Sequence, residues 1–181
     1  MTWLIWVAII VASVVADQLT KLWMVNWIGP GAERGFVEVI DGFFSFTYHE
    51  NTGIAFSIGA DNDVARVIFM TVSTVAILGL AAYLFFGKVT SKWCCVSIAL
   101  IVGGGIGNMI DRVRLGYVVD FLDFYGIWNA VFNVADCFVC VGGGMLFLWC
   151  VIELIREAKK EKAKKKGTLE EDAEASKENS D

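Results

Sequence analysis

Four long runs of hydrophobic residues, separated by polar or glycine-containing segments, dominate the chain. Each run contains about 18 residues or more, which is long enough to cross a hydrocarbon core of roughly 30 Å as an α-helix. We therefore predict a mainly α-helical membrane protein with four transmembrane helices. The predicted spans are Trp3–Trp27, Val64–Phe86, Trp93–Ile110 and a fourth from Ala130 or Val131 to Ile155.

The segment between the first two runs, about residues 31–63, follows a different pattern. Phe36–Ile40 and Phe44–Tyr48 carry β-branched and aromatic residues in alternation, which is typical of short strands. Gly42 and two later glycines punctuate the segment. These features predict a small β-rich insert outside the bilayer, lying on the membrane surface.

The composition changes again beyond Arg156. Lys159–Lys166 is strongly basic and Glu170–Asp181 is acidic. Such a segment cannot bury enough apolar surface to fold on its own. We predict that residues 1–158 form one integral membrane domain, and that residues 159–181 form a charged cytoplasmic tail that is partly helical and then disordered.

The distribution of lysine and arginine between the runs predicts the orientation in the membrane. The turn at residues 87–92 carries two lysines, and the C-terminal flank carries a dense basic cluster. Segments 28–65 and 111–130 together carry only three arginines. Both termini are therefore predicted to be cytoplasmic, with the β-rich insert and the segment 111–130 outside.

The first run could instead be a cleaved secretory leader, because Val14–Ala16 resembles a leader cleavage site. A leader also needs a basic amino-terminal region, which the two residues before Trp3 do not supply beyond the amino terminus itself. Apolar character also resumes beyond Asp17. We expect the first run to remain as a membrane helix.

Composition supports the membrane class and narrows the function. Hydrophobic residues make up 56% of the chain, above the roughly 45–50% apolar usage of soluble domains. The net charge of −5 says little about partners, because most acidic residues lie in the tail and loops. No basic stripe with interleaved aromatic residues occurs outside the tail, so nucleic-acid binding is not expected.

Polar groups gather where the third and fourth runs meet their connecting segment. Ionisable groups inside apolar segments are costly, so such a cluster favours a functional site. At 1.5 Å per helical residue, Asp17 in the first run reaches the same outer depth, and Lys21 shares its helix face. Snorkelling at the interface is an alternative for single long side chains. The remaining members of the cluster are Asn108, Asp111, Arg112, Asp120, Asn133 and Asp136.

Two carboxylates in such a cluster can share one proton. The ionised member takes a proton from water while the protonated member donates to a scissile carbonyl, which hydrolyses a bond without a metal or a covalent intermediate. Other schemes fit less well. His49 is the only histidine, and the serines in the spans lack a base at a plausible spacing. Asp111, Asp120 and Asp123 are too few ligands for a metal site, so no metal and no cofactor is expected.

The cysteines and glycines have simpler interpretations. Cys137 and Cys140 have the spacing of redox and metal sites, but they fall inside the fourth span, and we interpret all five cysteines as small apolar residues. The triplets Gly103–Gly105 and Gly142–Gly144 would let helices approach closely. The first triplet would also leave room for a substrate near Asn108.

Four motifs follow one another along the chain: Asp17–Lys21, Asn51–Phe56, Gly104–Phe121 and Phe132–Asp136. In this order they resemble the motifs of the bacterial lipoprotein signal peptidases, the type II signal peptidases. The likeness covers about residues 10–150. Ile54 and Gly105 stand where the family usually has alanine, which puts the shape of a substrate cleft in question rather than the chemistry.

The resemblance implies a function and a location. It implies an aspartic endopeptidase of the bacterial cytoplasmic (inner) membrane that removes signal peptides from prolipoproteins, cutting before a cysteine that carries a diacylglyceryl group. The active site would lie near the periplasmic leaflet, and the insert would correspond to the family's β-cradle. The implied partners are the modified prolipoprotein and membrane lipids, and nothing requires more than a monomer.

The resemblance also assigns roles by motif position. Asp120 and Asp136 correspond to the catalytic pair. The other matching positions correspond to groups that bind substrate or support the pair: Asn51, Gly53, Gly104, Asn108, Arg112, Asn133, Asp17 and Lys21.

Two other classes of function are alternatives to this one. A quinone-linked thiol oxidoreductase would need reactive cysteines in the external segments, and residues 28–63 and 111–130 contain none. A non-enzymatic assembly or transport protein would use the charges as a structural network. In that case Asp120→Asn would leave its function intact.

Overall fold

The computed structural model contains four helices and three strands in the part of the chain that it describes. That part comprises residues 2–33, 35–52, 63–87, 89, 91–124 and 130–178. In chain order the elements are α1 (Thr2–Ile28), β1 (Phe36–Ile40), β2 (Phe44–Asn51), α2 (Asp63–Phe86), α3 (Lys92–Leu115), β3 (Val118–Phe124) and α4 (Val134–Glu178).

Three of these helices are long and apolar enough to cross a membrane within the described residues. They are Trp3–Ile28, Lys92–Leu115 and Val134–Lys162. The mainly helical membrane fold predicted from the sequence is therefore confirmed. In α2 the apolar stretch Met70–Phe86 is shorter, so the span predicted at Val64–Phe86 stays a prediction.

Helix α3 is the centre of the bundle, because α1, α2 and α4 all pack against it. Small residues allow the close approach. A Cβ atom on Gly103 would lie 2.6 Å from Ser13 Cβ, and one on Gly142 would lie 2.7 Å from the Ser97 carbonyl oxygen. The core around this helix contains Trp6, Leu84, Cys94, Cys95, Ile98, Ala99 and Val102.

The outer faces of the bundle are apolar as well. Leu19, Leu78 and Leu148 expose 55–63% of their surface. In water such a continuous apolar surface would be unstable, whereas a lipid bilayer covers it. The inside of the bundle is where the polar residues lie, as the site described below shows.

The three strands form one antiparallel sheet in the order β1-β2-β3. The first two strands confirm the predicted β-rich insert, but β3 lies beyond α3, in a segment that the sequence analysis treated as loop. Val118, Val119, Asp120 and Phe121 are all buried, so the alternation that identifies a half-exposed strand is absent. Gly116 produces the turn into β3, because its φ of 82° is left-handed and its N–H donates to the Arg112 carbonyl oxygen.

Aromatic contacts join the sheet to the helix ends. Trp27 at the end of α1 contacts Phe46 of β2, and Phe44 contacts Phe124 of β3 at a ring distance of 4.6 Å. Phe124 also stacks on Phe132, just before α4, at 5.6 Å. The sheet is thereby held over the end of the bundle where α1 and α3 end and α4 begins.

The C-terminal segment, predicted to be partly helical and then disordered, begins as a continuation of α4. Helix α4 continues without a break to Glu178. Alanine, lysine and glutamate, which are strong helix formers, dominate the segment, and Lys165 pairs with Glu161 one turn away at 2.8 Å. Local helix propensity therefore extends a helix that the membrane span has already nucleated.

Candidate active site

Asp120 lies in the middle of β3 and is 1% exposed. Its two carboxylate oxygens accept hydrogen bonds from two carboxamides. Asn133 Nδ2 donates to Oδ1 at 2.6 Å and Asn51 Nδ2 donates to Oδ2 at 2.8 Å. Asn51 is available there because β2 pairs with β3, placing Asn51 opposite Val118.

Asp136 lies in the first turn of α4 and is half-buried. Asn133 precedes the helix, accepts the N–H of Asp136 at 3.0 Å, and donates its own N–H to Asp136 Oδ2 at 3.2 Å. This reciprocal pair is a capping box. The N-terminal end of a helix also favours a negative charge, so the local sequence both starts α4 and fixes Asp136.

Asn133 and Asn108 connect the two carboxylates. Asn108 Nδ2 donates to Asp136 Oδ1 at 2.8 Å. The Nδ2 group of Asn133, which donates to Asp120, also lies 3.1 Å from Asn108 Oδ1. The structure therefore brings Asp120 and Asp136, 16 positions apart in the chain, into one hydrogen-bond network.

Burial changes the acidity of Asp120. Removal from water raises its pKa from 3.8 to about 7, and the negative charge of Asp136 adds to the rise. Hydrogen bonds from Asn51 and Asn133 and the charge of Lys21 oppose it. A carboxyl group that keeps its proton near neutral pH, beside a second carboxylate, can supply the acid of an acid–base pair.

A second polar cluster lies beneath the two aspartates. Lys21 Nζ is 2.9 Å from Asp17 Oδ2, from Asp111 Oδ2 and from Asn108 Oδ1. Lys21, Asp17 and Asp111 are at most 3% exposed. Lys21 therefore does not extend its ammonium group to the membrane interface, because that group is enclosed by the bundle.

The aspartates of this cluster also bind backbone groups of the site. Asp17 Oδ1 accepts the N–H of Ala135 at 2.9 Å, which joins α1 to the start of α4. Asp111 Oδ2 accepts the N–H of Val119 at 3.2 Å, which joins α3 to β3. The cluster therefore positions the two chain segments that carry Asp120 and Asp136.

Gln18 is a site residue that the sequence analysis left out, and Asp111, which it placed in the polar cluster, received no role from the motifs. Gln18 Nε2 donates to Asp111 Oδ1 at 2.9 Å and to the Gly107 carbonyl oxygen at 3.2 Å. One signal was available, because Asp111 is three positions after Asn108 and shares its helix face. No pattern in the sequence indicates that Gln18 reaches across to α3.

The remaining predicted site residues lie in different surroundings. Arg112 is half-buried, donates to the Asn108 carbonyl oxygen of its own helix at 3.3 Å, and interacts electrostatically with Asp136 and Asp120. A Cβ atom on Gly104 would collide with the Ala135 carbonyl oxygen, so this glycine is a packing position between α3 and α4. Gly53 lies outside the described residues.

The described ranges also hold histidine, cysteine and carboxylate side chains outside this network. Those ranges contain no group of three or more histidine, cysteine or carboxylate side chains that could hold a metal ion. Cys137 and Cys140 are free thiols on α4, and Cys94 and Cys95 are buried in the bundle. The two carboxylates with their amide partners are therefore the group of side chains best suited to chemistry.

Comparison with known families identifies the chain. A family described as signal peptidase (SPase) II matches residues 9–152. The lipoprotein signal peptidase of Clostridium tetani is 37% identical over 150 residues, covering 81% of this chain and 92% of the relative. That of Trichormus variabilis is 44% identical over 140 residues, covering 77% and 84%.

Solved structures of bacterial membrane enzymes share the fold. A bacterial membrane enzyme determined by the in meso method at 2.3 Å resolution superposes with a TM-score of 0.69 and 28% identity, covering 82% of this chain and 88% of its own. A second bacterial membrane enzyme, at 1.9 Å resolution, superposes with a TM-score of 0.66 and 29% identity, covering 80% and 91%. This chain therefore belongs to the signal peptidase II family.

Proposed function

We propose that this protein is a membrane-embedded aspartic endopeptidase that removes signal peptides from prolipoproteins. The observation that carries the proposal is the joining of Asp120 and Asp136 through Asn133 and Asn108. One of the two carboxyls is buried and has a pKa raised to about 7. Both aspartates act on the same scissile bond.

The chemistry follows from the two protonation states. Asp136, at the start of α4, takes a proton from a water molecule, whose oxygen attacks the carbonyl carbon of the scissile amide. Asp120 donates its proton to the carbonyl oxygen. The resulting tetrahedral intermediate breaks its C–N bond, and the leaving nitrogen receives the proton that Asp136 had taken. The carbonyl is re-formed as a carboxylic acid, and its released proton returns to Asp120.

The carboxamides hold this pair in position. Asn51 and Asn133 donate to Asp120, and Asn108 donates to Asp136. None of these donors titrates, so they keep the two carboxyls in place in both protonation states. Arg112, whose charge acts on both carboxyls, stabilises negative charge that develops in the substrate.

The substrate is a prolipoprotein whose cysteine after the cleavage site carries a diacylglyceryl group. The curated relatives are named lipoprotein signal peptidases. The apolar outer faces of the bundle support a site reached from the bilayer, because acyl chains and a signal helix remain in lipid while the scissile amide lies near the interface. Burial of the lipid supplies binding and the carboxyls supply the chemistry.

The proposed arrangement in the membrane has both termini in the cytoplasm, α2 as a fourth span, and the aspartates near the periplasmic leaflet. The excess of lysine at residues 87–92 and after Arg156 supports this orientation. A monomer suffices, because one chain carries the whole network.

The test is cleavage of a diacylglyceryl-modified prolipoprotein and of its unmodified form by purified protein in detergent. Asp120→Asn and Asp136→Asn should each lower the rate at least about 10³-fold, because an amide replaces a proton-transfer group. Asp123→Asn, on the same strand outside the network, is the matched control and should cleave normally. Thermal unfolding should show that all three variants are folded.

Three other outcomes would each contradict part of the proposed function. Cleavage by both network variants would exclude the aspartate pair. Equal cleavage of the unmodified substrate would exclude recognition of the lipid. Absence of cleavage by folded wild-type protein would favour the non-enzymatic alternative.

A further inference from the structure

Helix α4 projects well beyond the apolar bundle as one continuous helix. Its candidate membrane span, Val134–Lys162, includes the first lysines after the apolar run, which ends at Ile155. Its backbone remains helical to Glu178. From Arg156 to Glu178 the projection is about 35 Å long at 1.5 Å per residue. The family match ends at residue 152, so this projection lies outside it.

Charge is strongly separated along the projection. Residues 156–166 contain seven basic and two acidic side chains, whereas residues 167–181 contain six acidic and one basic side chain. We name the first part the basic collar and the second the acidic end. The collar begins next to Leu154 and Ile155, which are 66% and 50% exposed and are covered by lipid in a membrane.

The lysines of the collar surround the helix. Five of them are exposed in the structure. At about 100° per residue, their directions leave no gap wider than about 100° around the axis. A one-sided protein or nucleic-acid surface would meet only part of this ring, whereas headgroups that encircle a spanning helix meet all of it. The five are Lys159, Lys160, Lys162, Lys164 and Lys165.

The collar also lacks the features of a helix that lies flat on a membrane. Such a helix needs an apolar face opposite its charged face. Between Arg156 and Gly167 the uncharged residues are Ala158 and Ala163, which form no such face. The helix therefore leaves the bilayer upright and carries its collar through the headgroup layer.

The basic collar and the acidic end lie at different distances from the membrane surface, and only the collar lies within the range of the surface potential. Lys159 lies about 6 Å beyond Ile155 along the helix, within the Debye length of about 8 Å at physiological salt. Glu170 lies about 22 Å beyond Ile155, where the surface potential is largely screened. An anionic surface therefore attracts the collar without a matching repulsion of the acidic end.

We propose that the basic collar is a binding surface for the headgroups of anionic phospholipids. Each lysine close to such a surface strengthens the interaction roughly fivefold. The exposed pair between Lys165 and Glu161, at 2.8 Å, does not compete strongly, because an ion pair in water contributes little. Headgroups also hold α4 at one depth. Asp136 lies 23 residues before Lys159, about 34 Å away, close to the thickness of a hydrocarbon core of roughly 30 Å.

The test compares full-length wild-type protein with a collar variant in which the five exposed lysines are replaced. The variant carries Lys159→Gln, Lys160→Gln, Lys162→Gln, Lys164→Gln and Lys165→Gln, because glutamine keeps the length and the helix propensity. The matched control neutralises the acidic end with Glu170→Gln, Glu171→Gln, Asp172→Asn and Glu174→Gln. Native mass spectrometry then measures retention of phosphatidylglycerol against phosphatidylcholine from an equimolar mixture.

Wild-type protein and the control should retain phosphatidylglycerol at least tenfold over phosphatidylcholine, and the collar variant should lose at least tenfold of that preference. The preference should fall as salt is added. Equal retention of the two lipids by wild type, or an unchanged preference in the collar variant, would overturn the proposal. Displacement of phosphatidylglycerol by a short RNA would also overturn it.

The depth role rests on the proposed function and has its own readout. Cleavage by wild-type protein should be faster in vesicles that contain phosphatidylglycerol than in phosphatidylcholine alone, and the collar variant should lose this difference. Equal rates for wild type in both vesicles would exclude the depth role. If nothing is cleaved in either vesicle, the proposed function fails, while lipid retention still decides the headgroup site.

Discussion

Lys21 Nζ lies 2.9 Å from Asn108 Oδ1, and this contact determines which way the Asn108 carboxamide faces. An ammonium group can only donate hydrogen bonds, so the amide oxygen must face Lys21. The amide nitrogen then faces Asp136 and donates to its Oδ1 at 2.8 Å. A cation on α1 therefore orients an amide on α3 that holds a carboxylate on α4.

Lys21→Met is expected to destabilise the fold and to abolish cleavage. It leaves Asp17 and Asp111 buried without their cation, and breaking a buried pair costs about 3–5 kcal/mol. Thermal unfolding in detergent measures the loss. The double variant Lys21→Met/Asp111→Asn removes one of the uncompensated charges and should recover part of the stability. An unfolding temperature of Lys21→Met equal to wild type would show that the cluster is not charged as described.

Asn133→Ser separates the two roles of Asn133. Serine still caps α4, so stability should fall by less than about 1 kcal/mol. It cannot donate to Asp120 as the carboxamide does at 2.6 Å, so the cleavage rate should fall about 10²-fold, within the range for losing support of an acid–base pair. Asn133→Ala is the comparison and should lose the cap as well, with a further cost of about 1 kcal/mol. Normal cleavage by Asn133→Ser would contradict a role for the bridge.

The pH dependence of cleavage should report the proton on Asp120. Its pKa is raised to about 7, so kcat/KM should fall as the pH rises above about 7 and the acid is lost. Asn51→Ala removes a hydrogen bond that lowers this pKa, and should move the fall to higher pH. Asp123→Asn serves as control and should leave the profile unchanged. A profile that is the same in Asn51→Ala and wild type would contradict the assignment to Asp120.

The same pKa has a consequence for stability. A carboxyl whose pKa is higher in the folded chain than in the unfolded chain binds its proton more tightly when folded. The contribution of Asp120 to stability is therefore complete below pH 3.8 and is lost as the pH rises through about 7. In Asp120→Asn this part of the pH dependence of thermal unfolding should disappear.

Gly104→Ala should destabilise the bundle because the new Cβ collides with the Ala135 carbonyl oxygen. Overpacking of this kind costs about 1–3 kcal/mol, and it displaces the start of α4, so cleavage should slow as well. Gly143→Ala is the matched control, because a Cβ there meets nothing within 4 Å. It should be neutral or stabilising by up to about 1 kcal/mol. Equal unfolding temperatures for the two variants would exclude close packing at Gly104.

Some of this architecture is readable from local pattern. The membrane helices follow from runs of apolar residues, and the strands Phe36–Ile40 and Phe44–Asn51 follow from alternation. Strand β3 does not, because burial on both faces removes the alternation. For the charged segment after Arg156, composition favours both a solvated coil and a charged helix, and the helix there continues α4 to Glu178.

The sequence by itself determined the class of protein, the location of its polar residues and the motif positions of Asp120 and Asp136. These properties depend on residue type and spacing along the chain. Only the tertiary structure decided that Lys21 is enclosed by two aspartates and an asparagine, that Gln18 reaches Asp111, and that Gly104 packs on α4. Those contacts join residues up to 93 positions apart, and they form because helices that bury their polar groups from lipid must pair them with one another.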